Sequence, residues 1–204
     1  MHAGVMTRLK TETAERHKAA GRRMFQRRLI SGGVSTTEYA RWLGQLLTVH
    51  RGLEPRLRAA AAADPRIGAV ITAEQYHEQD LVDDLACLGA ASSAIDAGPG
   101  ARLALERIDR ASAVELLGMH YVLEGSANGN RIIAKALRRS LGLKPGHADH
   151  YLDPYGTAQR EKWAAFKAAM DTADWTPADE DALVAAAAGM FDVLGILSAE
   201  LQGE

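Results

Sequence analysis

Cysteine is nearly absent from this chain. The single Cys87 among 204 residues excludes an internal disulfide and any zinc or iron–sulfur site built on several thiolates. No uninterrupted apolar run approaches the roughly 18 residues that a membrane span needs. Arg8, Lys10 and Glu12 break up the N-terminal stretch that a signal peptide would keep apolar. The cytoplasm is the expected compartment, with no membrane partner. Alternating runs of Val, Ile or Thr are also missing, which argues against a sheet. There is no internal repeat and no sustained heptad, so solenoids and coiled coils are excluded. What remains is ordinary globular composition, 47% hydrophobic and 25% charged, in one expected domain over residues 1–204.

Each end is poor in charge of one sign. Residues 8–28 carry Arg8, Lys10, Arg16, Lys18, Arg22, Arg23, Arg27 and Arg28 against Glu12 and Glu15. Residues 171–204 carry eight acids and no Lys or Arg. Two solvated faces would account for this, as would a basic rim for an anionic ligand or an acidic partner. Nucleic acid is not expected, because Phe25 is the only aromatic in the basic segment available for stacking.

The pattern that is present is helical, and the fold class is all-α. Met6, Leu9, Thr13, His17 and Ala20 recur at spacings of three and four, so they share one face of a first helix. Ser31-Gly32-Gly33 reads as a loop. Ser35 and Glu38 form a capping box for a helix that carries Tyr39, Leu43, Leu46, Leu47, His50, Leu53 and Glu54 and ends near Asp64-Pro65. A third helix is expected over Ala73 to Leu88, then a connection over residues 90–100. Ser112 and Glu115 repeat the capping box and open a long helix to about Leu141. Gly142 to Pro154 reads as loop and Gln159 to Met170 as helix. Thr176 and Pro177 start the last helix as N-cap and first residue.

Two features of this pattern suggest chemistry. His17 sits on an apolar helix face with Lys10 two turns earlier on the same side. Such a histidine is either a packing residue or a ligand to a group with a metal centre and peripheral carboxylates, and heme has that layout. In the segment YVLEGSANGN from Tyr121 to Asn130, Gly125 and Gly129 lie four apart within a helix, where each costs about 1 kcal/mol relative to Ala. Either they permit a tight helix crossing, or a flat ligand lies against them. Other candidates are weaker. Glu74 and His77 have the spacing of a di-iron ligand pair, but no second pair exists. His147 and His150 lack a third partner. Cys87, Trp42, Trp163, Tyr151 and Phe191 read as core, and His50 as core or pocket.

Taken together, the segments resemble the heme oxygenase family. LKTETAERH, from Leu9 to His17, is similar to its N-terminal helix, with His17 at the proximal ligand position. Tyr39 to Glu54 is similar to the helix that follows. Tyr121 to Ser126 resembles the glycine-bearing distal helix, especially that of bacterial enzymes that make biliverdin for phytochromes. Tyr155-Gly156, Trp163, Phe166 and Lys167 resemble the C-terminal part. The resemblance implies a multi-helical bundle that clasps heme between a proximal and a distal helix, and oxidative cleavage of heme to biliverdin with release of carbon monoxide and iron. It implies His17 as ligand to the iron, and Lys10, Thr13, His120, Tyr121 and Lys167 as heme-binding residues, the lysines toward the propionates. Gly125, Ser126, Asn128 and Gly129 would form the distal wall that steers dioxygen. An electron donor such as a ferredoxin or a reductase is implied as partner, and a phytochrome as receiver of the product. Three positions depart from the family pattern. Gly21 stands where an acid often follows the proximal histidine, Ser126 where mammalian relatives have an aspartate, and Asn130 where a second glycine is usual. They motivate an alternative, a heme-binding or heme-sensing protein without turnover on the same scaffold.

Overall fold

The computed structural model describes residues 4–92 and 95–202, and every regular element among them is helical. α1 (Val5–Glu12) and α2 (Ala14–Gly21) replace the single first helix expected from the sequence. The break falls at Thr13, whose buried hydroxyl donates to the Leu9 carbonyl at 2.6 Å. The predicted face therefore divides in use: Val5, Met6, Leu9 and Thr13 are buried, whereas His17 is exposed. Asp171 caps the start of α1 by accepting from the Met6 amide at 2.9 Å, which satisfies one of the free donors at that helix end.

α3 (Met24–Ser31) closes on Gly32 in the left-handed conformation, φ +74°, the geometry that glycine takes without steric cost. α4 (Thr36–Ala63) starts on the expected capping box, with both the Ser35 and the Glu38 hydrogen bonds formed. α5 (Pro65–Val70) follows at once, because Asp64 both ends α4 and caps α5 through the Arg66 amide. The expected helix from Ala73 to Leu88 is instead a short 3-10 turn, Ala73–Gln75, and α6 (Glu78–Cys87). The chain breaks between them at Tyr76 and His77, where the His77 and Glu78 amides donate to the buried Glu54 carboxylate at 2.7 and 2.9 Å. Cys87, expected in the core, is exposed in the last turn of α6. α7 (Pro99–Arg110) begins on Pro99 at its first position.

α8 (Ala113–Ser140) runs without a break through both mid-helix glycines from its Ser112–Glu115 capping box. α9 (Gln159–Thr172) and α10 (Pro177–Gln202) complete the chain. The α10 helix is long and apolar enough to cross a membrane by length and composition, yet half of that stretch is buried inside the fold. Its acids are also tied down: Arg8 reaches Glu180 at 3.0 Å and Asp181 at 2.8 Å near the helix start, and Arg16 reaches Asp192 at 3.4 Å farther along. The two oppositely charged chain ends thus meet each other along α1, α2 and α10.

Two apolar clusters fill the interior. One joins α1, α5, α7, α9, α10 and the middle of α4 with the first half of α8; the other joins α3, α6 and the start of α4 with the second half of α8. A close approach of helix backbones lies beside the first. A Cβ at Gly118 on α8 would fall 2.5 Å from the Leu183 carbonyl oxygen and 3.0 Å from the Ala186 Cβ on α10. A helix-crossing glycine therefore exists in α8, about two turns before the pair that the sequence singled out. Gly118→Ala should lower stability by about 1–3 kcal/mol through overpacking, although alanine is the better helix former. Urea denaturation measures this, and a stabilised variant would contradict the crossing.

Candidate functional site

A cavity of about 610 Å³ opens between α2 and the glycine stretch of α8, inside the range of ligand pockets. It lies at the seam of the two apolar clusters, since Leu123 and Phe191 belong to one and Trp42, Leu46, Ile133 and Tyr151 to the other. His17, Ala20 and Gly21 form the α2 side. Gly125, Ser126, Asn128, Gly129 and Asn130 form the α8 side. The His17 imidazole meets the Phe191 ring edge-on, with centroids 5.3 Å apart. Among the described residues no carboxylate bonds His17, and a Cβ at Gly21 would meet nothing within 4 Å.

The α8 side is quieter in polarity than its sequence suggests. Ser126 donates its hydroxyl proton to the Leu123 carbonyl at 2.7 Å, and Asn128 donates to the Gly125 carbonyl at 3.0 Å. Serine and asparagine often bond to nearby backbone in this way. The Ser126 oxygen keeps its lone pairs, whereas the Asn128 oxygen also accepts from Gln159 at 3.4 Å. Gly129 is open space, with nothing within 4 Å of a built Cβ.

The other heme-contact candidates do not line this cavity. Lys10 and Lys167 are exposed on α1 and α9. Thr13 is spent on the bend between α1 and α2. Tyr121 packs beside Trp163 with ring centroids 5.9 Å apart. His120 is 2% exposed against Phe166, and its Nε2 has no protein partner. Burial drives its pKa down to about 4. Trp42, Trp163, Tyr151 and Phe191, read as core in the sequence, all stand on the cavity wall. The sequence signal for this was weak, because an aromatic beside a ligand and one in a core share the same helical spacing.

Behind the wall lies a buried polar network. His50, 1% exposed, directs Nδ1 to Glu54 at 2.9 Å and Nε2 to the Tyr151 hydroxyl at 3.3 Å. Burial holds its pKa below the usual histidine value despite Glu54, so Nδ1–H donates to the carboxylate and Nε2 accepts from Tyr151. Glu74 and His77 part company: Glu74 pairs with Lys162, and His77 turns inward. His77 Nδ1 reaches Asp80 at 2.9 Å, and Nε2 lies 3.3 Å from the Tyr155 hydroxyl, which donates to Glu124 at 3.0 Å. Asp84 is buried and accepts from the amides of His150 and Tyr151, both at 2.9 Å, and from His150 Nδ1 at 2.7 Å. Among the described residues no group of three or more His, Cys, Asp or Glu could hold a metal ion.

The heme oxygenase family model matches residues 3–199, and the chain belongs to that family. The fold is the all-α fold of its solved members. Heme oxygenase from Leptospira interrogans superimposes with a TM-score of 0.86 at 21% identity, covering 97% of this chain and 100% of that one. Heme oxygenase-1 from the cyanobacterium Synechocystis, solved in complex with heme, gives 0.87 at 21% identity, covering 98% and 93%. The NO- and CO-bound heme oxygenase from Neisseria meningitidis gives 0.77 at 19%, covering 99% and 94%. No curated protein matches the chain.

The network has a measurable pH signature. Burial opposes charge on His77, but Asp80 and Glu124 overcome it and raise its pKa to about 9, against about 6.5 in an unfolded chain. The folded state thus binds this proton more tightly. The stabilisation is fully present below about pH 6.5 and is lost as the pH rises through about 9. Urea midpoints measured across that window should fall in the native protein and fall less in His77→Gln. Equal alkaline slopes would contradict the charged network.

Proposed function

We propose that this chain is a heme-degrading monooxygenase that holds heme in the cavity between α2 and α8. The observation that carries the reading is the pairing of one exposed imidazole, His17, with the open space left by Gly129 on the same apolar cavity. That donor set suits a flat macrocycle with a metal centre: one nitrogen ligand, apolar faces and room on the far side. Heme, when bound, supplies the redox centre and is also the molecule consumed, opened with dioxygen and external electrons to biliverdin, carbon monoxide and iron. The protein supplies orientation and hydrogen bonds.

Each residue then has a task. His17 would bind the iron as neutral imidazole, with its ring aligned by the edge contact to Phe191. With no carboxylate behind His17, the imidazole lacks the second partner that commonly raises ligand basicity. Lys10 and Lys167, which pair with no acid among the described residues, would meet the propionates. The α2 helix has no buried residue of its own, so it can adjust to a ligand, whereas Lys10 stands on α1, which Val5, Met6 and Leu9 anchor in the core. The Ser126 oxygen, with its proton committed to Leu123, would hold a water by accepting from it. Tyr151, fixed by His50 and by Asp84, gives the wall a second polar point. His120 and Tyr121 would act from behind the wall rather than by touching heme. Electrons would come from an external donor such as a ferredoxin or a reductase, and biliverdin would pass to an acceptor such as a phytochrome.

The direct test is to mix the protein with hemin and ascorbate in air and follow the spectrum. The Soret band should decay as biliverdin absorbance rises. A stable Soret band would instead identify a heme binder without turnover. Gly129→Ala sharpens the test. In heme-free protein the alanine meets nothing, so the melting temperature should hold or rise, by up to about 1 kcal/mol of helix propensity. In the loaded protein its methyl intrudes on the open space, so heme should still bind while biliverdin formation falls. Native turnover in Gly129→Ala would overturn the distal assignment.

A further inference from the structure

The two glycines that the sequence pairs face different things. A Cβ at Gly129 meets nothing, but one at Gly125 would lie 3.2 Å from Trp163 Cη2, with Cζ2 at 3.7 Å and Cζ3 at 3.8 Å. The space that Gly125 leaves is therefore taken by an indole of the protein. Trp163 is the one residue of α9 on the cavity wall. Behind it the Phe166 ring, 2% exposed, stacks nearly parallel at 5.3 Å and 10°. Tyr121 flanks it at 5.9 Å. An indole confined by Gly125, Tyr121 and Phe166 cannot recede without disturbing a close-packed core.

We propose that Trp163 is a specificity-determining residue, a rigid aromatic stop that fixes how far a flat macrocycle turns in its own plane about the bond to His17. Gly125 serves this chain by admitting the indole to that position, while Gly129 leaves the room above the ligand. The inference rests on the cavity being the heme site. A nearly square macrocycle gains little from one in-plane seat over another by shape alone. Charge pairs at one edge pull it round, and a hard side wall sets the angle at which it stops. Which bridge carbon lies beneath the Gly129 opening depends on that angle.

The test uses full-length Trp163→Ala, Trp163→Phe, Gly125→Ala and the Gly125→Ala/Trp163→Ala pair. In heme-free protein, urea midpoints should be non-additive: alanine at 125 should be better tolerated once the indole is gone. Additive midpoints would overturn the role given to Gly125. With hemin bound and cyanide added, the heme-methyl proton resonances report in-plane seating. Native protein should give one dominant pattern, Trp163→Ala more than one, and Trp163→Phe an intermediate result. The ratio of biliverdin isomers after turnover should shift in the same order. Native resonances and a native isomer ratio in Trp163→Ala would overturn the stop while leaving the heme site intact. Failure of the native protein to take up hemin would overturn both.

Discussion

The close crossing of α8 with α10 at Gly118 is the contact on which the rest of the molecule depends. There a backbone carbonyl of α10 occupies the place that any side chain at 118 would need. The same two helices then supply opposite parts of one cavity wall, Gly125 to Ile133 from α8 and Phe191 to Ser198 from α10. Helices held in contact at one point and separated at another leave a wedge, and this wedge lies where the two apolar clusters fail to merge. The first helical segment covers it. α2 buries nothing itself and is held through the bend at Thr13 and the Arg16–Asp192 pair. Exposed ion pairs of this kind contribute little, about 0–1 kcal/mol each, so the His17 side of the cavity is the more adjustable side.

The opposite side is held more firmly. Burying ionised groups costs several kcal/mol each unless hydrogen bonds compensate. Glu54 accepts two backbone amides and a histidine, and Asp84 accepts two amides and a histidine. These carboxylates fix the break before α6 and the segment that carries Tyr151. Their work is to replace backbone bonds where no helix can, and the consequence is a fixed tyrosine at the cavity wall. The departures at Gly21 and Ser126 can be weighed on the same basis. Neither position puts an acid at the cavity, and the buried carboxylates Glu54 and Asp84 lie behind its wall.

Local chemistry was the most legible part of the sequence. The capping boxes at Ser35 and Ser112 need only residues three apart, and both helices begin where they say. α5 and α7 are not legible in the same way: one is only six residues long, and the other starts on Gly98-Pro99 with no side-chain cap. The His77 break was hidden because it is made by Glu54, more than twenty residues away. Of the site, His17, Gly125, Ser126, Asn128 and Gly129 were legible and are brought together on one cavity. The four aromatics on its wall were not, since periodicity states that a residue faces inward and not whether it meets protein or a void. The glycine pair shows the same limit: identical residues one helical turn apart, one filled by Trp163 and one empty.

The central claim is that His17 is the bond between this protein and heme. The most direct measurement is a hemin titration of His17→Ala followed by absorbance and electron paramagnetic resonance, with and without added imidazole. The α2 residues are exposed or half-buried, and the His17 ring packs edge-on against Phe191, so the variant should fold as the native protein does. The account predicts that its ferric complex loses the histidine-ligated signature and regains it when imidazole enters the vacated space. A ferric spectrum identical to that of the native protein, without imidazole, would contradict the account and move the ligand elsewhere in the chain.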